Sequence, residues 1–148
     1  MKKLLMSLAL LLSVGFATAS QDYEVSPYGE VFVGDGVRVE LARFKAKNEH
    51  DMNDVIVRVS GRLAYDAGMD GEVFRLKAIP AGTGFNLQRP DGRNLIGSRA
   101  RGGWLGTWTD IKIYLNNQSI DLVKTPEDLN ALHLLGAYKT KQQENKKK

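Results

Sequence analysis

Arg89, Arg93, Arg99 and Arg101 stand in a short span whose one acid is Asp91, and Trp104 and Trp108 follow among Gly102, Gly103 and Gly106. Arginine presents a planar fork of donors that grips carboxylate or phosphate, and tryptophan gives a large rigid contact surface at small entropic cost. The combination predicts a surface that binds a protein or a glycan: tryptophan fills a pocket on the partner, arginine pairs with its carboxylates, and the partner is blocked sterically. The competing structural reading makes Trp104 and Trp108 core anchors and the arginines outward strand positions.

The remaining candidates carry less chemistry. Asn48-Glu49-His50-Asp51-Met52-Asn53-Asp54 gathers oxygen and imidazole donors, but sequential neighbours converge on one ion only where turns re-aim them, so the stretch reads as a solvated loop. Asp66 to Gly71 has the Asp, Asp and Gly of a calcium loop at its first, fifth and sixth positions. Gly68 at the third and Lys77 at the twelfth break that pattern, and a plain hairpin turn is expected. Gly82-Thr83-Gly84 lacks the third glycine of a dinucleotide fingerprint. No metal or cofactor is therefore expected. Ser60, Ser98 and Ser119 have no glycine elbow, cysteine is absent, and His133 sits among leucines as a packing residue. The spacing of Asp66, Asp70, Glu72 and Asp110 singles out no acid pair. A cell-wall or glycan hydrolase using carboxylates is the second functional reading, and a carrier of a small apolar ligand the third.

Strands must position these residues. From Asp54 onward Val55, Val57 and Val59 face one way and Ile56, Arg58 and Ser60 the other. After Asp70-Gly71, Phe74, Leu76 and Ala78 alternate with Arg75 and Lys77 in the same period of two. Glu30 to Val33 and Val37 to Phe44 flank Gly34-Asp35-Gly36, a hairpin signal, with Val37, Val39 and Leu41 inward and Arg38, Glu40 and Arg43 outward. Phe85 and Leu87 belong to a further strand. Arg89-Pro90-Asp91-Gly92-Arg93 is a turn, and Asn94 to Ser98 a return strand. Asp110 to Leu115 and Gln118 to Val123 make the cleanest hairpin, with Ile111, Ile113 and Leu115 on one face and Asn116-Asn117 as its turn. Thr125-Pro126-Glu127-Asp128 resembles a helix start, with a hydroxyl cap, proline in the first turn and carboxylates at the positive end of the dipole. Leu129, Leu132, Leu135 and Tyr138 recur at helical spacing, so a helix from about 126 is expected across one opening or one face of the sheet, fraying through Lys141. The fold class is mainly β: an antiparallel β-sandwich or small β-barrel of about seven to nine short strands, with one C-terminal α-helix.

The ends of the chain place it. Lys2 and Lys3, an apolar run from Leu4 to Phe16 and the small residues Ala17-Thr18-Ala19 form a secretory signal pattern, with cleavage expected after Ala19. The product is expected to be periplasmic or secreted from a bacterium. It forms one domain over 20–138 and a frayed basic tail over 139–148. Without cysteine it has no disulfide staples, so a hydrophobic core alone must hold it. The formal net charge of +4 is misleading, because Ser20 to Tyr138 carries 14 Lys and Arg against 16 Asp and Glu, a net of −2. Five lysines against Glu144 make the tail basic, and Lys146, Lys147 and Lys148 predict weak contact with an anionic membrane or cell-wall polymer. Nucleic acid is not an expected partner outside the cytoplasm. In size and class the chain is similar to envelope inhibitors and to immunity or exclusion factors. The first functional reading is thus an exported, non-catalytic interaction protein that binds another envelope protein through its Arg/Trp/Gly-rich surface.

Overall fold

The structure, a computed structural model, describes residues 23–26, 28–50, 54–82, 84–100 and 108–148. The expected leader, Arg101 and Trp104 lie outside them. In chain order the strands are β1 (Tyr23–Val25), β2 (Tyr28–Gly34), β3 (Val37–Ala46), β4 (Asp54–Ser60), β5 (Val73–Ala81), β6 (Gly84–Gln88), β7 (Asn94–Ala100), β8 (Trp108–Leu115), β9 (Gln118–Lys124) and β10 (Leu129–Asn130). Helix α1 (Arg62–Asp66) links β4 to β5, and α2 (Ala131–Lys146) follows β10. From β2 to β9 each strand pairs antiparallel with the next, and β9 returns to pair with β2. Of the two architectures expected, the chain therefore forms the barrel: eight strands, up and down, closed on themselves. Closure removes the two unpaired edges that an open sheet would leave. β1 extends β3 beyond the barrel, and β10 clasps the start of β2.

The period of two accounts for the interior. Phe32, Val39, Leu41, Val57, Leu76, Leu87, Ile96, Ile113 and Leu122 are buried in one cluster, which suits an eight-stranded barrel just wide enough for side chains to fill. Each such side chain contributes about 1.5–3 kcal/mol by leaving water. The tight turns are those the sequence indicates: Asp35 and Gly36, and Asn116 and Asn117, all take positive φ.

A second apolar layer lies outside the barrel. Ala42, Phe44, Ile56 and Val73 point outward from β3, β4 and β5, and Ala131, Leu134, Leu135 and Tyr138 of α2 cover them. The rings of Tyr23, Phe44 and Tyr138 meet at centroid distances of 5.3 to 5.9 Å. Arg75 donates to Asp54 and lies over the Phe44 ring, 5.1 Å from its centroid. The helix thus occupies a face of the sheet rather than an opening. No described helix is long and apolar enough to cross a membrane.

Two local expectations fail. The closing helix starts at Ala131, capped by Asn130, whose side chain accepts from the Leu132 amide at 3.0 Å. Distant partners claim the residues of the Thr125-Pro126 signal first: the Thr125 amide donates to the Val31 carbonyl at 2.8 Å, and Arg38 holds the Glu127 carboxylate with two nitrogens. Leu129 is drawn into β10 opposite Gly29. The apolar stripe shifts accordingly, and Leu132 is left 66% exposed. The helix also runs on to Lys146 instead of fraying, with Lys141 donating to the Val73 carbonyl. The second failure is Asp66 to Gly71, which follows α1 and is no simple hairpin turn. The Gly61 amide donates to Asp70 there at 2.8 Å. Leu63, Ala64, Ala67 and Met69 pack into the end of the barrel.

Candidate functional site

The strand register defines two unlike ends. At one, the Asp35-Gly36 turn, α1, the 89–93 turn and Asn116-Asn117 lie together, and α1 closes the interior. At the other, the inward rows run out into polar residues. Glu30 continues the row of Phe32, Arg43 that of Leu41, Lys124 that of Leu122 and Ser98 that of Ile96. Arg43 is therefore an inward residue, and its expected outward place is corrected. The Lys124 ammonium donates to Glu30 at 2.8 Å. Burial pushes the Arg43 guanidinium below its ordinary range, opposed by the charge of Glu30. Ser98 is 9% exposed, and its hydroxyl has no hydrogen-bond partner among the described residues.

This polar end adjoins the thinnest part of the wall. β2 and β9 share only the pairs Phe32↔Lys124 and Val33↔Val123 before residues 125–128 bow outward and β10 re-pairs at Gly29. The gap forms a cleft of about 390 Å³ with Glu30, Arg43 and Lys124 among its lining residues and Tyr28, 82% exposed, beside them. A chain of ion pairs fastens the bowed segment, running from Glu127 to Arg38, Glu40 and Arg58. Hydrogen bonding to Glu127 raises the pKa of Arg38 further. Burial alone would raise the Glu40 carboxyl, but hydrogen bonds from Arg58 and Arg38 hold it below the usual carboxylate range. Two cations beside one carboxylate, half withdrawn from water, can receive an anionic group by exchanging it against Glu30.

Arg89 and Arg93 stand at the opposite end of the barrel from the backbone of Arg99 and Trp108, while Arg101 and Trp104 lie outside the described residues. Arg89 and Arg93 lie together at the capped end, where Arg93 is paired with Asp91 at 2.8 Å and Arg89 stacks 5.0 Å from the Phe74 ring centroid. Arg99 lies in β7, six residues beyond Arg93 and about 20 Å from it along an extended strand. The backbone pair Ala100↔Trp108 roots the segment between them at the polar end. Of the 48–54 stretch, residues 51–53 lie outside the described ones; Glu49 and Asp54, the latter at the start of β4, both bind Arg75, so they hold the wall beneath α2. Among the described residues no group of three potential metal ligands gathers. Sequence reasoning missed Glu30, Arg43, Lys124 and Ser98. Their signal was present: each is a polar residue where an apolar alternating row would otherwise continue. No family model, curated protein or solved structure matches the chain.

Proposed function

We propose that the chain is a non-catalytic binding protein that recognises its partner at the polar end of the barrel. Arg99, Arg101, Trp104 and Trp108 supply the contact segment, and Arg43 and Lys124 take an anionic group of the partner. In the exported setting that the leader predicts, the partner is another envelope protein and binding blocks it sterically. The observation that carries this reading is the pairing of Ala100 with Trp108, which ties both ends of the Arg/Trp/Gly segment to the rim where Glu30, Arg43 and Lys124 face inward. A closed barrel gives the strands on either side of such a segment a rigid base, the usual arrangement for recognition elements on a scaffold.

The test is capture from periplasmic extract with three proteins: wild type, the double variant Arg101→Ala with Trp104→Ala, and the double variant Arg89→Ala with Arg93→Ala. The first double variant is expected to lose the partner and the second to keep it. Equal capture by wild type and the first double variant would sink the proposal. Loss through the second alone would move the site to the capped end.

A further inference from the structure

We propose that the outer wall of β6 to β9 carries a saccharide-binding groove, separate from the polar end. Asn86, Gly97, Lys112 and Asp121 form a single row across four strands, each the register partner of the next. They face outward, because Leu87, Ile96, Ile111 and Leu122 beside them point into the interior. With strands about 4.8 Å apart, Asn86 and Lys112 stand roughly 10 Å from each other across Gly97, over which the Tyr114 ring and the Asn86 amide lean. The groove there encloses about 540 Å³. Tyr114, 41% exposed, bounds it, its hydroxyl 3.0 Å from where a Cβ on residue 97 would sit. Lys112 and Asp121 approach to 3.5 Å.

The lining selects the ligand class. An amide, a phenol, an ammonium and the carboxylates of Asp110 and Asp121 offer donors and acceptors side by side, which suits hydroxyl groups that do both. An anionic ligand finds no positive excess, because Lys112 is paired with Asp121 and Asp110 adds a further carboxylate to the lining. Each of the four strands is paired on both edges, so an extended peptide has no edge to join. An apolar ligand would leave these polar groups without water or partners. A pyranose ring meets all the terms. Its hydroxyls reach Asn86 and the Lys112–Asp121 pair, and its flat C–H face rests on the half-exposed Tyr114 ring, which leans over Gly97.

The folded, ¹⁵N-labelled protein would be titrated separately with chitotetraose and cellotetraose, following the amides of Gly97, Lys112, Tyr114 and Asp121 by NMR. At least one sugar is expected to give saturable shifts centred on those amides. Tyr114→Ala should weaken binding by about tenfold, the worth of one aromatic contact. Gly97→Val should abolish it by pushing the Tyr114 ring off residue 97. Gly97 is not among the positive-φ glycines, and the side chain added there meets the movable end of Tyr114 first, so an unchanged melting temperature would show the fold intact. Failure of both sugars to shift these amides at millimolar concentration overturns the proposal, as does wild-type binding by both variants. Neither result bears on the polar-end segment, which the capture experiment tests alone.

Discussion

At the capped end the inward rows finish on apolar side chains, and α1 lays Leu63, Ala64 and Met69 across them. At the polar end the same strands carry Glu30, Arg43, Lys124 and Ser98 inward, beside a seam joined by two residue pairs. The difference separates stability from recognition. Apolar packing at the capped end is lost wholesale when its geometry is disturbed, whereas the half-solvated charges of the polar end contribute little net stability and stay available for exchange.

Three stability measurements test that contrast. The largest effect is expected at Gly61, which holds φ at +110° and where a Cβ would collide with the Gly36 carbonyl. Gly61→Ala should cost about 3 kcal/mol in urea unfolding, combining left-handed strain with overpacking. A loss under about 1 kcal/mol would mean that the capped end is not rigid. Next comes a matched pair, one variant at each end. Met69→Ala should cost about 2–4 kcal/mol and Lys124→Met about 1 kcal/mol or less. Equal costs would erase the distinction between the ends.

The smallest effect is in acid. The Glu40 carboxyl is held below its ordinary value of 4.5 despite burial, so its pairing stabilises the fold above that pH and is lost as pH falls through the lowered value. Glu40→Gln should show a shallower decline in stability below pH 4.5 than wild type. Identical acid profiles would show that the ion-pair chain across the seam contributes nothing.

The local geometry was legible because it follows from neighbours in sequence. The inward rows of Val55, Val57 and Val59 and of Ile111, Ile113 and Leu115 follow from strand period alone, and Asn116-Asn117 tolerates the positive φ its turn demands. What decided between barrel and sandwich was the meeting of β2 with β9, and no local signal announces a pairing between Val33 and Val123. Helix α1 is too short for its period to register. The Thr125-Pro126 signal was real chemistry overruled from afar, since Arg38 and Val31 took its carboxylate and amide. Of the site, Arg43 was open to a stricter use of parity with Leu41. The separation of Arg93 from Arg99 needed only that β7 be one unbroken strand.

The two-pair seam has a consequence for how the molecule comes into being. β2 finds β3 as soon as the Asp35-Gly36 bend is made, but its other side must wait for residues near the end of the polypeptide. Until β9 arrives, the growing meander has two raw flanks open to neighbouring chains. β9 and the β10 clasp behind it therefore act as the latch on a door that everything before them leaves ajar.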